Sequence, residues 1–463
     1  MAERILFLTG HLARPRLERI LAEMDGLGFA CSVLDVGVKV AALMTEAIIL
    51  RRLPRPIEAD QVMVPGRCRA DLDRLARELG VPVVRGPDEV QDLPGFFGRH
   101  GRGVDLSRYD IRIFAEIVDA SALDVDTIVA RAKALRTAGA DVIDIGCLPD
   151  TPFPHLAEAV GAVSATGCDV SVDSANLDEL RRGAKAGARF LLSLTEANVD
   201  IADETGAIPV LVPARHGELD SLLRAAELAD RRRISAILDP VLDPIHFGFT
   251  GSLGRYAELR RRLPAAEILM GTGNLTELTD VDSAGVTAVL LGICSELFIR
   301  NVLVVQVSSH TRRTVEEHDA ARRLMFAARE DASLPKGYGT ALLALHDKKP
   351  FLNSPSEIAE LADQVRDANF RIEVAEDGIH VFNRQIHRVA PSAMALFTEL
   401  GVEQEGPHAF YLGTELMKAE IAWRLGKRYA QDSPLDWQCA ADRPDEDLTH
   451  PAEPGHTLRT KKG

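Results

Sequence analysis

Between Ile111 and Arg329 one pattern recurs eight times: a short apolar run, then a stretch with helical spacing. The runs are IRIFAEIV (111–118), DVIDIGCL (141–148), DVSVDSA (169–175), RFLLSLTE (189–196), IPVLVPAR (208–215), SAILDPVL (235–242), EILMGTGN (267–274) and NVLVVQVS (301–308). Between them lie amphipathic stretches such as 124–140, 176–188 and 217–233, and TVEEHDAARRLMFAARE (314–330) closes the series. Two of these helices stop on Ala-Gly-Ala, where Gly suits a left-handed C-cap. Strands alternating with helices build a parallel sheet. Eight βα units in about 220 residues match a TIM barrel in both number and size. A doubly wound sheet is the competing architecture, but it seldom needs eight such regular units.

The flanks read differently. Residues 1–98 alternate strand-like and helix-like runs (4–9, 30–36, 60–64 and 81–84 as strands) and predict a three-layer, Rossmann-like α/β domain. Residues 94–110 carry five Gly and Pro in their first ten positions and read as a linker. The barrel is expected over 108–330. A third, α+β domain is expected over 336–440, with a hairpin at FRIEVAEDGIHVFNRQIHRV that turns at Asp377-Gly378. The polar, Pro-rich residues 441–463 read as a disordered tail. The fold class is thus α/β: a central (β/α)8 barrel between an N-terminal Rossmann-like domain and a small C-terminal α+β domain.

Composition excludes several functions. Lys and Arg number 54 against 69 Asp and Glu, a formal net charge of −15. A general nucleic-acid or anionic-membrane binder needs a basic face. The six Cys (31, 68, 147, 168, 294, 439) form no CxxC pair, which argues against a disulfide framework or zinc site and for a reducing compartment. MAERILFLTG shows no signal peptide, and no apolar run is long enough to span a bilayer. We expect a cytoplasmic homodimer without nucleic-acid or membrane partners.

A TIM barrel carries its active site at the C-terminal ends of its strands. Polar residues there are Glu116 and Asp119; Asp144, Cys147 and Asp150; Asp173 and Ser174; Ser193, Glu196 and Asn198; Arg215 and His216; Asp239; Asn274; and Gln306, Ser308 and His310, with Arg312 and Arg313 following. Asp144, Asp173 and Asp239 each interrupt an apolar strand, where a carboxylate is costly unless something binds it. Carboxylates around one mouth suit a ligand rich in N–H donors; the guanidine-like edge of a pterin offers two parallel donors to one carboxylate. A single such Asp is more readily a helix cap or an arginine partner; Asp173 and Asp239 together favour binding. Arg215, His216, Arg312 and Arg313 suit an anionic group, commonly held at the late-strand mouth, or form ordinary solvated surface. Arg231–Arg233 and Arg260–Arg262 close helices on the opposite face and read as helix C-terminal charge. His246 and His310 are weaker acid–base or phosphate candidates, and Cys147 reads as a packing residue.

Three stretches, in order, then resemble the pterin-binding TIM barrels over about half the chain. AGADVIDIGCLPDTP resembles their second-strand motif, which ends in Gly-Gly-Glu-Ser-Thr in dihydropteroate synthases. DVSVDSANLDELRRGAKAGA resembles their third-strand Ser-(Ile/Val)-Asp-Thr motif and following helix. AILDPVLDP resembles their sixth-strand Asp-Pro motif. The resemblance implies that Asp173 and Asp239 hold the pterin ring, with Ser193 where the family has Asn. From their places at the strand ends, further substrate contacts are expected from Asp144, Asn198, Arg215, Ser308, His310 and Arg312.

The text departs from dihydropteroate synthases in three places. Gly271-Thr272-Gly273-Asn274-Leu275 replaces their Ser-Arg-Lys, Gln306-Val307-Ser308 replaces Arg-Val-His, and the Gly-Gly-Glu-Ser-Thr loop is lost. Asn274 is similar in position to the Asn of the methyltetrahydrofolate:corrinoid methyltransferase branch, which contacts the pterin.

The three-domain layout and YLGTELMKAEIAWRLGKRYAQD (411–432) resemble the dihydropteroate-synthase-related proteins of methanogens and methylotrophs. The reaction implied joins a hydroxymethyl-dihydropterin diphosphate to ribofuranosylaminobenzene 5′-phosphate in tetrahydromethanopterin biosynthesis. Mg²⁺ would assist, with Glu116, Asp119 or Asp150 as carboxylate donors. The alternatives are a methyl-pterin:corrinoid methyltransferase-like protein, although no Asp-x-His-x-x-Gly motif is present, and a non-catalytic pterin-binding scaffold.

The end domains say less. Thr9-Gly10 and Pro65-Gly66-Arg67 follow strands of the first domain, where open α/β sheets bind ligands, but Gly10-His11-Leu12 is no GxGxxG. Tyr411, Glu415, Lys418 and Glu420 share a helix face, expected to be solvated.

Overall fold

The computed structural model describes residues 3–24, 28–99 and 104–442. Part of the expected linker (100–103) and nearly all of the expected tail (443–463) lie outside the described residues. The chain divides into two compact units between Gly339 and Thr340.

The first unit opens with four parallel strands, β1 (Glu3–Thr9), β2 (Phe29–Asp35), β3 (Gln61–Val64) and β4 (Val83–Arg85), in the order β2-β1-β3-β4. Successive side chains of a strand point to opposite faces. Phe7 and Met63 accordingly pack with Leu17 and Leu21 of the first helix, while Leu8, Val62 and Val64 pack with Ile49 and Leu75. Apolar cores on both faces make the expected three layers.

All eight predicted barrel strands form: β5 (Arg112–Ile117), β6 (Val142–Gly146), β7 (Asp169–Asp173), β8 (Phe190–Leu194), β9 (Ile208–Leu211), β10 (Ile237–Leu238), β11 (Glu267–Gly271) and β12 (Asn301–Val304). Each pairs in parallel with the next, and β12 closes on β5 with Asn301 opposite Arg112. Alternation sorts the interior into layers. At the bottom, Asn301 Nδ2 donates to Glu267 Oε2 at 3.2 Å, and Arg112 lies 3.9 Å from the same carboxylate. Above them Phe114, Val142, Phe190, Leu192, Val210, Ile237 and Leu269 fill the barrel, with Phe114 and Phe190 edge to face at 5.0 Å. Two residues beyond Phe114 of β5, Val142 of β6 and Ile237 of β10, the same alternation puts Glu116, Asp144 and Asp239 at the top, and Asp173 ends β7 beside them.

The closing seam is held from outside by Arg322, on the helix Thr314–Glu330. Its side chain is 1% exposed. It donates to Ile111 O (2.7 Å), Gly139 O (2.9 Å), Asp319 Oδ1 (2.7 Å) and Asp141, and stacks on Tyr109 at 3.6 Å. Removing one member of a buried ionic network costs ~3–5 kcal/mol. Arg322→Met is therefore expected to lower the urea midpoint of the barrel unit by that equivalent, whereas the exposed Arg231→Met should leave it in place.

The second unit holds β13 (Arg371–Ala375), β14 (Gly378–Phe382) and β15 (His387–Ala390), antiparallel in that order, packed against the helix Gly406–Leu425. The expected hairpin is thus three strands. Its turn sits one residue earlier than expected: Ala375 pairs with Gly378, leaving Glu376 and Asp377 as the loop. Gly378 opens the return strand at φ +144°, where a Cβ would lie 3.0 Å from Ala390 O. The helix face expected to be solvated is not. Glu415 and Glu420 are buried, accepting from Tyr429 Oη and Ala393 N, each at 2.8 Å. Among the described residues no helix is long and apolar enough to cross a membrane.

Candidate active site at the barrel mouth

Four carboxylates crown the barrel interior. Register sets them side by side: Glu116 of β5 lies opposite Asp144 of β6, Asp144 opposite Ser171 of β7, and Gly146 opposite Asp173. Asp239 follows β10 directly and donates its backbone N–H to Leu211 O. Glycine at 146 leaves room for the Glu116 carboxyl: a Cβ there would lie 2.8 Å from Glu116 Oε1 and 3.2 Å from Ile117 O, so a larger residue must push that carboxyl aside.

Burial, with repulsion between the acids, raises all four above the usual carboxylate range. Burial, then Asp173, pushes Glu116 up to about 7. Burial, then Glu116 and Asp173, raises Asp144, against the opposing pull of the Ser171 hydroxyl that donates to Oδ1. Asp144 Oδ2 is buried without a hydrogen-bond partner among the described residues. Burial also raises Asp173, with Ser193 pulling the other way. Asp239 is pushed up to about 6 by burial, although Tyr256 Oη and Val241 N each donate to its Oδ1 at 2.8 Å.

Ser193 occupies an irregularity in the β8–β9 pairing between Leu191 and Leu194, at φ +63°. Bulges of this kind re-aim a side chain beside a site, and here the hydroxyl comes to Asp173. Asn274 begins the turn after β11 and donates Nδ2 to Leu242 O at 2.7 Å, tying the β11 end to the loop that follows Asp239. That loop is held by Arg255, which donates to Pro240 O, Val241 O and Asp243 Oδ2; His216 Nε2 lies 2.9 Å from Asp243 Oδ1.

Of the other expected contacts, several turn their polar atoms to neighbouring backbone or hold them in ion pairs. Asn198 Oδ1 accepts from Thr195 N at 2.7 Å. Arg215 is exposed. His310 Nε2 lies 3.1 Å from Thr276 O, Arg312 donates to Ser309 O, and Arg313 pairs with Glu316 at 3.2 Å. Ser308 N donates to Glu277 Oε2 at 3.0 Å, beside Val307 N (2.7 Å) and Thr311 Oγ1 (2.6 Å) on Oε1. Burial raises Glu277, but these donors outweigh it and hold its carboxyl below the usual range. Cys147 has its thiol pushed up to about 12 by burial, as a packing residue would.

Among the described residues no three His, Cys, Asp or Glu converge as metal ligands. Of the expected donors, Asp119 pairs with Arg131 at 2.7 Å, and Asp150 is exposed at φ +55°.

Tyr256, Arg255 and Glu277 were not legible as site residues, since nothing in their local sequence distinguishes them from other helix positions. Glu116 was: Arg112, Phe114 and Glu116 alternate inward, so the third had to join the top layer.

A family model described as a family of unknown function (DUF6513) matches residues 3–88, the segment of the four-stranded sheet. The uncharacterized protein MJ0107 of Methanocaldococcus jannaschii is 25% identical over 529 aligned positions, spanning 93% of this chain and 99% of its own. Similar solved structures include a dihydropteroate synthase of Yersinia pestis with a pterine-sulfa conjugate, 19% identical, covering 49% of this chain and 95% of that one at a TM-score of 0.39. The 7,8-dihydropteroate synthase of Vibrio fischeri is 16% identical at the same coverages with a TM-score of 0.38. That of Thermus thermophilus in complex with 6HMPPP is 24% identical, covering 48% and 95%, with a TM-score of 0.36.

Proposed function

We propose that the barrel mouth binds a pterin through Asp173 and Asp239, and that the chain is a dihydropteroate-synthase-like transferase. The observation that supports this most is the acid layer: four carboxylates grouped at the strand ends, one with a buried oxygen that has no hydrogen-bond partner among the described residues, an arrangement that a ligand dense in N–H donors would satisfy. In the reaction proposed, the arylamine nitrogen attacks the pterin methylene carbon, the carbon–oxygen bond to diphosphate breaks, and the amine loses a proton. Orientation and charge stabilisation supply the rate. Glu116, half ionised near pH 7, can take that proton. The acceptor proposed is ribofuranosylaminobenzene 5′-phosphate, as in tetrahydromethanopterin biosynthesis, its phosphate meeting Arg215 and Arg312 on the rim. Mg²⁺ would supply charge neutralisation to the departing diphosphate, with Glu116 as the nearby carboxylate that could help hold it.

Asn274 favours a second reading. It stands at the end of β11 where dihydropteroate synthases have Lys, and the barrel's own lysines, Lys133 and Lys185, lie on outer helices. That arrangement suits a methylated pterin whose methyl group passes to a corrinoid carried by another chain. Diphosphate release on mixing the protein with hydroxymethyl-dihydropterin diphosphate, Mg²⁺ and the phosphorylated arylamine is the expected result for the transferase. Binding without release, followed by methyl transfer to an added corrinoid protein, would replace it with the second reading.

A further inference from the structure

The opening sheet carries a cavity that the barrel reading does not use. Its strand order, β2-β1-β3-β4, reverses direction between β1 and β3. At such a switch point the loops leaving the two strands go to opposite faces and leave a crevice beyond their carboxyl ends, where open α/β sheets bind ligands. Here a cavity of about 270 Å³ opens at that place.

Its floor is apolar, from Phe7, Met63 and Leu93, and the small side chains of Ala13, Ala41 and Ala42 leave its walls open. Its mouth is charged. Arg67 Nη2 and Lys336 Nζ lie 2.7 and 3.3 Å from the same oxygen, Oε1 of Glu89, so each cation keeps donors for a further anion. Three cations (Arg16, Arg67, Lys336) against two acids (Asp88, Glu89) line this cavity, a positive excess on a chain of net charge −15. The first helix (Arg14–Glu23) adds to it, having Ala13 at its N-cap, no side-chain cap and no acid in its first turn. Arg16 holds the lip, donating to the carbonyls of Lys336 and Gly337 and stacking over Tyr338 at 4.2 Å.

We propose that this crevice is a second ligand site, for a small aromatic anion: one or two fused rings on the apolar floor, with a carboxylate, sulfonate or phosphate at Arg67 and Lys336. The volume lies at the small end of ligand pockets and suits a body of that size. The site is independent of the barrel mouth and of what binds there.

The test uses the full chain and 2-naphthoate, titrated by calorimetry, with naphthalene-2-carboxamide as the uncharged probe of the same shape. Wild type should bind naphthoate more tightly than the amide. R67A/K336A should weaken naphthoate about tenfold, the equivalent of two partly exposed ion contacts, and leave the amide unchanged. A42F should abolish both while circular dichroism stays that of wild type. D239N should change neither. Naphthoate that fails to bind wild type at millimolar concentration overturns the proposal. So does binding that survives A42F, or binding that is lost in D239N, which would put the probe in the barrel.

Discussion

Asp239→Asn should weaken binding of a hydroxymethyl-dihydropterin by roughly 10–100-fold, the equivalent of a hydrogen bond to a charged group. Tyr256 Oη and Val241 N both donate to Oδ1, so an amide must turn its oxygen to them and its NH₂ to the mouth. A pterin edge would then meet a donor where it needs an acceptor. Asp173→Asn should act alike. Because Asp239 titrates near 6, wild-type affinity should rise between pH 5 and pH 7 and level off above, while the Asn variant loses that rise. Calorimetry across that range decides it, and unchanged affinity in both variants would remove the pterin from this mouth.

Glu116→Gln should stabilise the protein, and only at high pH. In the unfolded chain this glutamate ionises near 4.5; in the folded barrel burial and Asp173 hold it protonated up to about 7. Below pH 4 both states carry the proton and the variant should match wild type. As pH rises through 7 the folded protein must ionise Glu116 beside other acids, so the stability that the neutral form carried is lost. The interval corresponds to roughly 3 kcal/mol, which Gln, always neutral and of similar size, retains. Urea midpoints of the two proteins at pH 4 and pH 8 should coincide at the first and diverge at the second. Equal midpoints at both would mean that Glu116 is not held neutral.

The barrel was legible because its signal is redundant. Eight runs of the same period, each followed by a helix of fitting length, leave a single closed solution, and all eight strands formed where the pattern put them. The acid layer was legible in part for the same reason: alternation along a strand fixes which residues face inward. What alternation does not fix is the stagger between strands, which brings Glu116 beside Asp144 and Asp173. Nor does it foresee loop chemistry. Glu277 organises the segment after β12 through three hydrogen bonds from residues about thirty positions away. The helix Gly406–Leu425 misled for a related reason. Glu415 and Glu420 look like surface, yet each accepts a buried hydrogen bond from a distant segment, so polarity there records a partner rather than water.

The seam at Arg322 has a consequence for how the chain is made. Ile111 and Arg322 stand 211 positions apart, and the outer edge of β5 has no strand beside it until β12 exists. A ribosome delivering this chain in order thus carries a curled, unclosed sheet through most of the barrel's translation, with both edges ready to pair with another nascent copy. The opening four-stranded sheet can settle early, whereas the barrel is latched only when the residues of its last helix emerge. Shielding by a chaperone matters most in that interval, and a message cut short before the codons of β12 encodes a product that lacks the strand its first barrel edge needs.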